Sequence, residues 1–184
     1  MTRTNSVPGE GSSNARVMFI GEGSGRQEDV EGRPFVGRAG KLLDELLASI
    51  KLDRKSVYVT NIVKCRASTK TLDEKLRPEE ARDRKPTSEE IAACAPYLEA
   101  QIKAIKPQVI CTLGDTATRS ILEKYRLKAG NISRVYGRTY SADDVKIMPM
   151  YHPAAALYTA ELKEVLENDF RKLAGLLTQR TLAG

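Results

Sequence analysis

No apolar run in this 184-residue chain approaches the roughly 18 residues that a membrane-spanning helix needs. The polar opening from Met1 to Asn14 lacks the apolar core of a secretory signal. A cytoplasmic location is therefore expected. Cysteine is scarce: Cys65, Cys94 and Cys111 are too few and too scattered for the disulfide framework of a secreted mini-domain. Cys111 lies in the apolar run Val109-Ile110-Cys111-Thr112-Leu113 and reads as a buried core thiol, whereas Cys65 and Cys94 remain open. There is no internal repeat, no G-K-[ST] phosphate loop and no G-x-G-x-x-G dinucleotide turn. Only one histidine and three phenylalanines are present, so each becomes a position to account for.

What is present is globular. A composition 41% hydrophobic and 29% charged suits one domain over 1–184 with a sizeable core. The net charge of +6, from 30 basic and 24 acidic residues, serves either solubility or attraction to a polyanion such as nucleic acid. Short β-branched or apolar runs at Val17–Ile20, Val57–Val63 and Gln108–Leu113 read as strands. They alternate with helical stripes. Leu42, Leu43, Leu46, Leu47 and Ile50 share one helix face. Ile91, Ala95, Leu98, Ile102 and Ile105 share another, opened by a capping box at Thr87 and Glu90 and stopped by Pro107. A third helix begins at Gly114 and Asp115. Val135–Tyr140 and Val145–Met150 are read as a hairpin, and Leu162, Leu166, Phe170, Leu173 and Leu177 as the inward face of a last helix. The alternation predicts a three-layer α/β/α sandwich with a central, mostly parallel sheet. The charged stretch 66–86 is long for a connection in a compact domain, which marks it as functional or mobile.

Ligands in such folds bind beyond the carboxyl ends of the strands, where three segments would converge. The first is the run Gly21-Glu22-Gly23-Ser24-Gly25 with Glu28, Asp29 and Phe35 close behind. Its glycines admit close backbone approach, and its carboxylates would repel a pyrophosphate, which favours an uncharged flat ring. The second is Asn61, a carboxamide in an apolar strand, serving either as a strand-end bond to a neighbouring backbone or as a reader of donor and acceptor edges. The third is His152, the sole histidine, placed between a strand end and Pro153. Phe35 is either a core plug or a stacking face.

These segments, with Thr60-Asn61-Ile62-Val63-Lys64-Cys65-Arg66, Cys94-Ala95-Pro96-Tyr97-Leu98 and Tyr151-His152-Pro153-Ala154-Ala155-Ala156-Leu157-Tyr158, resemble the signatures of the family 4 uracil-DNA glycosylases, its archaeal branch above all. The resemblance covers nearly the whole chain. It implies hydrolysis of the N-glycosidic bond of deoxyuridine in single- or double-stranded DNA, acting as a monomer on a base extruded from the stack. A sliding-clamp partner is not readable from the residues. The resemblance implies that Phe35 stacks on uracil, Asn61 reads O4 and N3–H, and Glu28 crowds C5 against the thymine methyl. It places backbone amides of Glu22 and Gly23 on the base and His152 on O2. Glu22 would orient the water or stabilise the sugar cation. Ala155, Ala156 and Leu157 would wedge into the DNA. Cys65 and Cys94 match two of four ligands of a [4Fe–4S] cluster whose N-terminal C-x2-C would precede Met1, so the chain reads as N-terminally truncated. Ser24 stands where the family mostly has proline, Tyr136 where it has arginine, and the interval from Cys65 to Cys94 is longer than usual. A non-catalytic DNA-binding relative and a small-molecule hydrolase on the same scaffold are the rival readings.

Overall fold

Residues 5–69, 81–128 and 130–179 are described in the computed structural model. Within them β1 (Glu10–Gly11), β2 (Val17–Gly21), β3 (Tyr58–Asn61), β4 (Val109–Leu113), β5 (Tyr140–Ala142) and β6 (Val145–Met150) form one sheet in the order β1-β3-β2-β4-β6-β5. The four inner strands are parallel, and the two edges pair antiparallel. The central strands β2 and β4 are buried along their whole length, as expected of parallel strands covered on both faces. Alternation along β2 shows this directly. Val17 and Phe19 enter a core with α2 (Arg38–Ser49) and α7 (Ala160–Gln179). Met18 and Ile20 enter the opposite core, with α3 (Ser88–Ile105) and α4 (Asp115–Lys124). The three-layer α/β/α sandwich is as the sequence predicts.

The leucine stripe of α2 is buried at Leu42, Leu43, Leu46 and Leu47. The capping box of α3 forms, with Thr87 Oγ1 accepting from Glu90 N at 3.2 Å and Glu90 Oε2 accepting from Thr87 N at 2.8 Å. Leu166, Phe170, Leu173 and Leu177 of α7 are buried, and Leu162 packs at the core's margin.

One local reading is corrected. The stretch from Val135 is not the first arm of a hairpin: Ile132–Val135 is a short helix, α5, and the strand that pairs with β6 is only Tyr140–Ala142. Val135 is buried by the helical turn, which periodicity over so few residues does not distinguish from a strand. Directly behind the glycine run the chain turns helical. Arg26–Glu31 forms a helix, α1, closed by Gly32 in the left-handed conformation at φ 68°.

The chain runs from β2 to a neighbour on one side, β3, and later to β4 on the other. The gap between the carboxyl ends of β2 and β4 is therefore the switch point of the sheet, where open α/β folds place their ligands.

Candidate active site

At that switch point lies a cleft of about 440 Å³, lined by residues that include Glu22, Gly23, Glu28, Phe35, Asn61 and His152. All six base-contacting candidates from the sequence are brought together, one or more from each of three strand ends. The backbone fastens two of these segments. Ile62 N donates to Gly21 O at 2.8 Å and Val63 N to Glu22 O at 3.1 Å, which extends the β2–β3 pairing past the strand ends.

Asn61 is 1% exposed, and its Oδ1 has no hydrogen-bond partner among the described residues. An orphaned buried acceptor costs about 1–3 kcal/mol, so this atom is set for a donor that arrives from the cleft. Phe35 stands beside it at 6% exposure with φ of 52°, a left-handed conformation that costs a non-glycine residue on the order of 1 kcal/mol or more. Two glycines make the arrangement sterically feasible. A Cβ at Gly40 would collide with the Phe35 carbonyl. One at Gly21 would collide with Asn61 Oδ1 and come within 2.7 Å of Phe35 Cζ. Glu28 holds the Phe35 turn from α1: its Oε1 accepts from Val36 N and from Gly37 N, both at 3.0 Å.

His152 caps α6 (Pro153–Ala156), its Nδ1 accepting from Ala154 N at 3.1 Å. That bond leaves Nε2 as the protonated nitrogen of a neutral ring. Burial pushes the imidazole pKa down to about 4, and the nearby Glu28 carboxylate offsets only part of this. The ring lies 5.6 Å from that of Phe35, 24° from parallel. At neutral pH the cleft therefore contains an uncharged, oriented N–H donor.

Sequence reasoning missed several contributors. Leu113, Gly114 and Asp115 form the wall from β4, though a glycine immediately after a strand at the switch point was a readable signal. Thr116 donates its hydroxyl hydrogen to Glu22 Oε2, and Oε1 has no hydrogen-bond partner among the described residues. Asp83, Arg84, Lys85 and Pro86, from the end of the charged stretch, form the outer wall. Ser24 lines the cleft with its Oγ buried and unpartnered among the described residues, and Tyr136 packs on Tyr151 at 4.8 Å between ring centres. Of the three wedge candidates, Ala155 is exposed and Leu157 half-buried, whereas Ala156 is buried in the core with α2 and α7. Ala155 and Leu157 are thus the two that keep exposed surface.

Cys65 and Cys94 are both half-buried, and Cys94 Sγ accepts from Lys64 N at 3.4 Å. Cys111 is fully buried in mid-sheet, its thiol pKa pushed well up by burial. Among the described residues no group of three or more potential ligands occurs. Cys65 and Cys94 are two of the four cysteines that a four-thiolate cluster requires, and the residues present do not fit one.

The chain belongs to the uracil-DNA glycosylase superfamily, whose family model matches residues 8–174. Within that class the similarity falls on the type-4 uracil-DNA glycosylases. The type-4 enzyme of Archaeoglobus fulgidus is 46% identical over 179 residues, which cover 95% of this chain and 83% of the relative. That of Saccharolobus solfataricus is 44% identical over 98% of this chain and 80% of the relative. That of Thermotoga maritima is 39% identical over 94% and 83%.

Proposed function

We propose that this chain hydrolyses the N-glycosidic bond of deoxyuridine in DNA, releasing uracil and leaving an abasic site for base excision repair. The observation that carries the reading is the pairing of an orphaned buried acceptor, Asn61 Oδ1, with a neutral imidazole donor, His152, in one cleft. Uracil presents an N3–H donor and carbonyl acceptors on the same edge, which suits both groups. Cytosine presents an unprotonated N3 to Asn61 Oδ1, acceptor against acceptor, and would leave that oxygen unpaired.

The extruded ring lies against Phe35, with the Glu22-Gly23 backbone beside it. Glu28, held by two amides, stands where it would meet a methyl at C5. As the C1′–N1 bond breaks, its electron pair leaves with the uracil and positive charge grows on the sugar. Nε2–H of His152 donates to the O2 on which negative charge collects, as an oxyanion-hole donor does. Water attacks C1′, one proton leaves it, and the uracil anion is protonated. Glu22, tethered through Oε2, offers Oε1 to orient that water or to balance the sugar cation.

The enzyme is one domain and acts as a monomer in the cytoplasm on single- or double-stranded DNA, with Ala155 and Leu157 as the apolar contact beside the extruded nucleotide. Among the described residues no helix is long and apolar enough to cross a membrane. The test is incubation with single-stranded DNA that carries one uracil, followed by alkali. A strand break at that position is expected, and an intact strand beside an active positive control refutes the reading.

A further inference from the structure

The charged stretch 66–86 has no role in the reaction proposed above, yet its described ends are tightly built. Ser68 and Asp83 form an antiparallel bridge, with Thr69 N donating to Arg82 O at 2.8 Å and Arg84 N to Ala67 O at 3.0 Å. Arg66 pairs with Asp83 at 2.5 Å. Arg84 donates to Ser68 O at 3.1 Å, to Lys85 O at 2.9 Å and to both Glu90 oxygens at 2.7 and 2.8 Å. The result is a short ribbon, anchored to the start of α3, that walls the cleft. Asp83, Arg84, Lys85 and Pro86 all line it.

The electrostatics of the wall are uneven. The cleft is lined by four carboxylates, Glu22, Glu28, Asp83 and Asp115, against two cations, Arg84 and Lys85. Arg84 is committed to Glu90, and the Arg66 and Arg119 partners of Asp83 and Asp115 lie outside the lining. Lys85 alone is different: it is exposed, it lines the cleft, and its side chain makes no ion pair or hydrogen bond among the described residues. Its backbone is nonetheless held in place by Arg84. A DNA strand that delivers a base here brings phosphates past four carboxylates, and the exposed, unpaired Lys85 ammonium is the cation left to meet one.

We propose that the ribbon at Ala67 and Asp83–Pro86 is a strand-docking wall, and that Lys85 binds a backbone phosphate next to the extruded nucleotide. This rests on the uracil-excising reading, because it takes DNA as the occupant of the cleft.

The test is equilibrium binding of a single-stranded oligonucleotide with a non-hydrolysable deoxyuridine analogue, followed by fluorescence anisotropy across a salt series. For a single strand each phosphate contact contributes about 0.7 to the slope of log K against log salt. Lys85→Ala should weaken binding several-fold and reduce the slope by about 0.7, while Lys85→Arg keeps the slope of the parent. Lys103→Ala, near the far end of α3, serves as the control and should leave it unchanged. A Lys85→Ala slope equal to the parent's overturns the proposal, as does an equal reduction in Lys103→Ala. The slope is read without cleavage, so absence of uracil release from the parent protein refutes the functional reading separately.

Discussion

The single histidine offers a direct check on the cleft's electrostatics. His152 Nδ1 accepts from Ala154 N at 3.1 Å, so a second ring proton would have to face an N–H donor inside a poorly solvated site. Its pKa is held at about 4, against about 6.5 for an unperturbed imidazole. At 1.36 kcal/mol per unit, that gap is worth about 3 kcal/mol. The sign follows from linkage. Between pH 6.5 and 4 the unfolded chain takes up a proton that the folded chain refuses, so stability contributed by this group falls as pH drops through that window. Above 6.5 it contributes nothing to the pH dependence. Because the chain has one histidine, ring-proton NMR reports this residue without assignment. A titration midpoint near pH 4 in the folded protein is expected, with uracil release insensitive to His152 ionisation between pH 7 and 5. A midpoint near 6.5 would refute the poorly solvated, neutral donor and with it the role given to Nε2.

Asn61→Asp replaces the amide donor by a second acceptor against uracil O4. A loss on the order of 10²–10³ in rate is expected, as for removal of an oxyanion-hole donor. Full activity in that variant would show that Asn61 does not read the base. Thr116→Val removes the hydroxyl that tethers Glu22 Oε2, a hydrogen bond to a charged group worth about 1.5–3 kcal/mol. Single-turnover kinetics should show a loss of about tenfold or more in the cleavage rate with little change in KM. Thr116→Ser should restore the rate. In a Glu22→Ala background the valine should add no further loss, and simple additivity would remove Thr116 from the site.

The architecture was legible because its signals were long or doubled. The β2 and β4 runs are continuous and apolar, α2 has four buried leucines in register, and α3 opens with a capping box that forms as written. The three-segment convergence was also readable, since Glu22, Asn61 and His152 each follow or end a strand. Short elements were not readable. Helix α5 is four residues and β5 three, lengths over which helical and extended periodicities look alike. The wall supplied by Asp83–Pro86 was hidden for another reason. Its placement depends on Arg66, Arg84 and Glu90 closing a ribbon across residues distant in sequence, and charged residues in a polar stretch carry no periodic signal of that. Thr116 was unreadable because its role is one contact between two strand ends brought together only by the sheet order.

The central claim is that an extruded uracil is cut from its sugar in this cleft. The measurement that addresses it most directly is free uracil itself, quantified after incubation of the purified protein with DNA labelled in the uracil base. Released uracil in one-to-one ratio with alkali-labile sites, and none from the same DNA carrying thymine or cytosine at that position, is the predicted result. Binding of the uracil-bearing strand with no free base would contradict the account and leave a DNA-binding relative in its place.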